Sequence, residues 1–206
     1  MSLKILVTAD FHQKEDLKEA AIEEANSGEY DMFINLGDYM REDYAEDLFD
    51  SIEIPAIGAT GNRDMMFSND FLDSDEVPVY NFLEAEIDDE YLVILIGGDF
   101  PDNIKQRVSD LIEEHGDNKK VIIGSHYPPH KVGDRIRSGK RVGFEQFREL
   151  IIREKPAIWM NGHIGERELF GVPVLNAAAE ETGKAYSVTI GDEGGVESIE
   201  EINLLA

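Results

Sequence analysis

Six short apolar runs, rich in β-branched residues, recur along the first three quarters of the chain, and nearly all break off into polar residues beside glycine. Runs this short, bounded by turn chemistry and mostly followed by helical periodicity, read as buried strands of βα units. The pattern predicts strands over Leu3–Thr8, Asp31–Asn35, Ile54–Ala59, Tyr91–Ile96, Lys120–Gly124 and Ala157–Met160. Helices fit between them over Glu15–Asn26, Glu42–Ser51, Asn103–His115 and Phe144–Glu154. After Gly162 the texture changes to short strand-like pieces, Arg167–Phe170, Val174–Asn176, Lys184–Ile190 and Val196–Ile202, separated by glycine and acidic turns. An antiparallel section closing an α/β domain is expected there. With no internal repeat, low-complexity tract or linker, residues 1–206 read as one domain.

Charge narrows the function classes. The chain carries 19 Lys+Arg against 44 Asp+Glu, a formal net charge of −25, which argues against a sequence-independent nucleic-acid coat. It has no cysteine, so any metal must be held by His, Asp, Glu or Asn. No apolar run approaches the roughly 20 residues that span a bilayer. The N-terminus opens on a strand pattern instead of a signal peptide, so a soluble, cytoplasmic protein is expected.

The informative residues sit at the downstream ends of the strands. The first strand runs into Asp10-Phe11-His12, the second into Gly37-Asp38 and the third into Gly61-Asn62-Arg63-Asp64. The fifth runs into Ser125-His126-Tyr127-Pro128-Pro129 and the sixth into Asn161-Gly162-His163. In an open α/β sheet, ligands gather beyond the carboxyl ends of the strands, so residues distant in sequence converge there. Carboxylate, imidazole and amide groups together are the donors that manganese, iron, nickel or zinc accept. Each element alone is weak: a Gly-Asp pair is often a plain turn and a lone His more often packs than ligates. Five such elements, each ending a separate apolar strand, carry more weight than any one.

This ordered series, DxH, GD, GN followed by an acid, a lone His, and GH, resembles the signature of the calcineurin-like metallophosphoesterases over Leu3 to about Asn176. Within that superfamily, Ser125–Pro129, Gly139–Gly143 and Gly162–Glu166 look most like the small Icc-related phosphoesterases of archaea and bacteria. The resemblance implies a four-layer αββα sandwich with two facing mixed β-sheets and two divalent metal ions at the strand ends on one edge. It implies that Asp38 bridges the ions, that Asp10 and His12 bind the first, and that Asn62, His126 and His163 bind the second. The implied reaction is in-line attack on a phosphate ester by a metal-activated hydroxide. Asp64 matches the family acid that orients the loop, its alternative being a cap for the following helix.

Two positions depart from the pattern. Gly165 stands where the family has the second His of GHxH, so the first metal is expected to bind more weakly than the second, with Glu166, a water or substrate as a replacement donor. Arg63 replaces the His that orients phosphate or protonates the leaving group. A guanidinium keeps its proton at any working pH, so Arg63 can clamp phosphate but cannot serve as the acid. Reduced activity and a preference for aryl over alkyl esters are therefore expected.

Five basic residues, Lys131, Arg135, Arg137, Lys140 and Arg141, fall within 11 positions of one loop. They read either as a solvated loop or as an anion-binding lid in which Arg135 and Arg137 contact substrate. His130, in the loop after His126, reads as an exposed loop residue, its alternative being a side chain that reaches the site, and His115 reads as the end of a surface helix. The leading expectation is a phosphodiesterase or broad phosphatase acting on small phosphate esters, with neither membrane nor nucleic acid as partner. The alternative is a catalytically weak or inactive scaffold of the same fold.

Overall fold

The computed structural model describes the chain except residues 1, 75, 88, 137, 163–166, 170, 181 and 206, and describes only the backbone of residues 84–87 and 167–169. In chain order the elements are β1 (Leu3–Thr8), α1 (Glu15–Ala25), β2 (Met32–Asn35), α2 (Glu42–Asp50), β3 (Ala56–Ala59), α3 (Asn69–Leu72), β4 (Val79–Tyr80) and β5 (Phe82–Ile87). They continue as β6 (Tyr91–Ile96), α4 (Ile104–His115), β7 (Lys120–Ser125), α5 (Glu145–Glu154), β8 (Ile158–Asn161), β9 (Arg167–Leu169), β10 (Val172–Asn176), β11 (Lys184–Ile190) and β12 (Val196–Asn203).

The strands form two six-stranded sheets, ordered β12-β11-β1-β2-β3-β4 and β5-β6-β7-β8-β10-β9. Each has four parallel strands: β1 to β4 in the first, and β6, β7, β8 and β10 in the second. Antiparallel strands complete both. Parallel strands buried on both faces need apolar residues at every position, which is why they read as continuous runs. β6 shows this: Tyr91, Val93 and Leu95 point into the core between the sheets, whereas Leu92, Ile94 and Ile96 face the opposite way.

That central core also holds Ile5 and Val7 of β1, Ile34 of β2, Ile122 of β7, Met160 of β8 and Val188 of β11, so both sheets contribute to one apolar layer. α1 and α2 cover the outer face of the first sheet through Leu17, Ala21, Tyr44, Leu48 and Phe49. α4 and α5 cover the second through Ile104, Val108, Phe147, Leu150 and Ile151. These spacings of three and four put each apolar set on one side of its helix. The outcome is the expected αββα layering. Among the described residues, no helix is long and apolar enough to cross a membrane.

All six expected strands and four helices form, their ends shifted by at most two residues. Absent from the sequence reading are α3, β4 and β5. β5 lies at the edge of its sheet, paired among the described residues with β6 alone, and its sequence Phe-Leu-Glu-Ala-Glu-Ile is broken by Glu84 and Glu86. The interrupted apolar run hid it.

Candidate metal centre

The parallel order β1-β2-β3 sets three polar loops side by side. Leu36 N donates to Thr8 O at 2.9 Å and Asp10 N donates to Gly37 O at 2.8 Å, so the loop after β1 lies along the loop after β2. Asp10, His12 and Asp38 all have left-handed backbones, with φ of 56°, 48° and 65°. Such conformations cost about 1–3 kcal/mol each for non-glycine residues and persist only where the surroundings hold them. Here His12 N donates to Asp38 O at 3.1 Å and Asp38 N donates to Asp64 Oδ2 at 2.8 Å.

Two glycines make the approach possible. Gly37 has φ +94°, and a Cβ there would lie 2.4 Å from Gly61 N. A Cβ on Gly61 would lie 2.1 Å from Asp38 Oδ1, so the loop after β3 touches the Asp38 carboxylate only because it has no side chain at that point.

Asp38 divides its carboxylate between two histidines. Its Oδ2 lies 2.9 Å from His12 Nε2, and its Oδ1 lies 3.6 Å from His126 Nε2 and accepts the Arg63 N–H at 2.8 Å. Burial pushes Asp38 up, but His12, His126 and the Arg63 N–H outweigh it and hold the carboxyl below its usual range. On the other side, His12 Nε2 is 3.8 Å from Asp10 Oδ1 and its Nδ1 is 2.7 Å from Glu180 Oε2. The Asp38 hydrogen bond raises the His12 pKa above its ordinary value, with Glu180 and Asp10 adding to the effect against desolvation.

The donor chemistry fits cations. His126 is fully buried, and its Nδ1 lies 2.9 Å from Leu36 O, a carbonyl that can only accept, so Nδ1 carries the proton. Nε2 then faces Asn62 Oδ1 at 2.9 Å and Asp38 Oδ1 at 3.6 Å, which offer only lone pairs. A ring nitrogen and two oxygens converging in this way suit a divalent ion. On the neighbouring side, ligand atoms of Asp10, His12 and Asp38 all lie within 4.8 Å of one another. Asp38 belongs to both groups.

The structure therefore brings together Asp10, His12, Asp38, Asn62 and His126. His163, Gly165, Glu166 and Arg137 lie outside the described residues. Asp64 is buried and accepts N–H groups from Asp38, Gly61 and Met40 at 2.7–2.8 Å, while the α3 cap is Ser68. It organises the loops and does not cap a helix. The Arg63 side chain is exposed. Glu180, which the sequence reading missed, comes from a turn of small residues after β10 and is one of 44 acids; no motif marks it.

The basic loop is more committed than its composition suggests. Buried Asp134 accepts the Lys131 N–H at 2.9 Å and pairs with the Arg141 guanidinium. Arg135 is exposed and bridges Arg141 through its backbone. His130 is not an exposed loop residue: its Nε2 lies 3.2 Å from Glu145 Oε1 and its Nδ1 3.3 Å from Gly143 O. His115 ends α4 as expected.

The sequence profile of the calcineurin-like phosphoesterases matches residues 3–167, and the chain belongs to that family. The protein TT1561 of Thermus thermophilus shares its fold, with TM-score 0.73 and 14% identity over 99% of this chain and 100% of that one. A dimetal phosphatase from Danio rerio superposes with TM-score 0.65 at 11% identity, over 98% of this chain and 99% of that one. An archaeal phosphodiesterase does so with TM-score 0.53 at 18% identity, over 97% and 99%. Among curated protein sequences, none is significantly similar.

Proposed function

We propose that the protein is a binuclear metal-dependent phosphoesterase acting on small phosphate esters. The observation that carries this reading is the Asp38 carboxylate, whose two oxygens address His12 on one side and His126 on the other. A single carboxylate placed between two nitrogen donors is the arrangement needed to share two ions. Asp10, His12 and Asp38 would hold one ion, and Asp38, Asn62, His126 and His163 the other. Manganese, iron, nickel and zinc all suit such a donor set. When bound, a pair of divalent ions withdraws charge from a phosphate ester and acidifies water into a nucleophile.

The chain's own residues do the rest. Asp64 fixes the relative position of the Asp38 and Asn62 loops through three backbone N–H groups, so the ligands need no rearrangement to receive substrate. Arg63 offers an exposed, permanently charged guanidinium on the loop that supplies Asn62, suited to phosphate oxygens. It cannot hand a proton to a departing alkoxide, so esters whose leaving group departs unaided are favoured. Arg135 and Arg137 would add attraction for the anion. A net charge of −25 supports a small ester as substrate over a nucleic acid or an anionic membrane.

The test is metal content after purification in manganese and iron, paired with hydrolysis of bis(p-nitrophenyl) phosphate by the wild type and Asp38→Ala. Two ions per chain and activity lost in the variant are the expected results. One ion or none, with hydrolysis no faster than in Asp38→Ala, replaces the enzyme by the scaffold that Arg63 and Gly165 favour.

A further inference from the structure

We propose that Glu180 is a positioning residue that fixes His12 as a metal ligand and offsets the donor missing at Gly165, an inference that rests on the binuclear reading above. The geometry is specific. Glu180 Oε2 lies 2.7 Å from His12 Nδ1, while the opposite ring nitrogen, Nε2, faces Asp38 and Asp10. A carboxylate beside Nδ1 keeps a proton on that nitrogen, so an ion that displaces the Nε2 proton from its contact with Asp38 meets a ring still held at Nδ1. Carboxylate–histidine–metal relays of this kind set the tautomer, lock the ring and make the imidazole a stronger donor. Lying on the far edge of the ring, Glu180 cannot itself reach an ion held by Nε2.

The turn bearing Glu180 is built onto the His12 loop. Ala178 bridges Ala9, Ala179 N donates to Ala9 O at 2.9 Å, and Lys14 Nζ donates to the Glu180 carbonyl at 2.6 Å. The Asn176 side chain accepts the Ala178 N–H at 2.7 Å, turning the chain as it leaves β10 in the second sheet for this contact with the first. His12 is thus oriented by a segment more than 160 residues downstream, at the seam between the sheets. Among the described residues the first ion would have Asp10, His12 and Asp38, and Gly165 carries no side-chain donor where the family supplies a fourth. A stiffer, more basic His12 compensates for part of that loss.

The experiment is a manganese titration of the metal-free full chain, by calorimetry and by electron paramagnetic resonance, for wild type, Glu180→Gln, Glu180→Ala and the exposed control Glu193→Gln. Wild type and control should bind two ions. Glu180→Ala should bind one with unchanged affinity and the other about 10–100-fold more weakly. Glu180→Gln, which keeps shape and one acceptor oxygen, should fall between. Nitrogen NMR of the zinc-loaded wild type should show His12 protonated at Nδ1, and that proton should lose its protection in Glu180→Ala. Two ions bound with wild-type affinity by both Glu180 variants overturn the proposal. Fewer than two ions in wild type overturn the binuclear reading instead, whatever Glu180 does. Should Glu180→Ala not fold, the Glu180→Gln affinity and the wild-type His12 tautomer decide.

Discussion

The Asp64 carboxylate accepts the Asp38 backbone N–H at 2.8 Å, so one buried acid holds the acid that would bridge the metals. Its remaining bonds, from Gly61 and Met40, tie the loops after β2 and β3 into one unit. Burial raises the Asp64 pKa, and the carboxylate persists as an acceptor through these three donors.

Replacing Asp64 should therefore disturb the fold and the site together. Asp64→Ala strands three N–H groups and is expected to cost about 2–4 kcal/mol, after allowing for the burial cost that the carboxylate no longer bears. Asp64→Asn, which can accept from only one side of its amide, should cost less. Urea denaturation of the metal-free protein measures both. Equal stability of wild type and Asp64→Ala would mean that the loops hold themselves.

Gly61→Ala places a methyl group 2.1 Å from Asp38 Oδ1 and 2.4 Å from Asp38 N. Asp38 must move, so manganese binding should weaken at both positions and hydrolysis fall by roughly 100-fold or more. Gly195→Ala, whose new methyl meets nothing within 4 Å, should leave both unchanged. Parallel metal titrations of the two variants check this.

The His12–Asp38 pair makes the metal-free protein sensitive to pH. The folded His12 pKa is raised above 6.5, so its contribution is fully present below 6.5 and is lost as pH rises through the folded value. The folded Asp38 pKa is lowered below 3.8, so its contribution is present above 3.8 and is lost as pH falls through the folded value. Both contributions are in force between 3.8 and 6.5. His12→Gln should remove the alkaline loss from a plot of melting temperature against pH. Because an ion must displace the His12 proton, manganese affinity should also rise with pH through the same transition.

Arg63→Ala should raise KM for a phosphate ester, since a permanent cation is removed from the loop carrying Asn62. Arg63→His restores a titratable group. It should accelerate alkyl esters about 100-fold relative to aryl esters, because only poor leaving groups need a proton. Comparing phenyl and methyl phosphodiesters with each variant reads this directly, and an equal response of both sinks the role given to Arg63.

Arg135→Ala and Arg137→Ala should raise KM with kcat unchanged if the loop attracts substrate. Arg141→Ala should instead lower stability, because Arg141 pairs with the buried Asp134. Steady-state kinetics and thermal melts of the three variants separate the effects. Unchanged kinetics in the first two would return the loop to plain solvated surface.

By itself, the sequence determined the order of strands and helices and most of the donors, while the two facing sheets were implied by the family resemblance. Continuous apolar runs such as Tyr91–Ile96, short and bounded by turn residues, read as strands buried on both faces. The carboxyl ends of those runs announce Asp10, His12, Asp38, Asn62 and His126 because parallel strands deliver their loops to one edge. Edge elements escaped, since β5 needs no unbroken apolar run. Tertiary structure alone decided how the donors are held. Asp64 could be read as a helix cap until its three N–H partners were seen, and Glu180 had no signal because nothing local marks an acid that acts on a histidine from a turn 168 positions away. Burial periodicity is local and is written in the sequence. The Asp38–Asp64 hydrogen bond and the His12–Glu180 ion pair span 26 and 168 positions: the first exists only once β2 and β3 have paired, the second only once the chain has returned from the second sheet to the first.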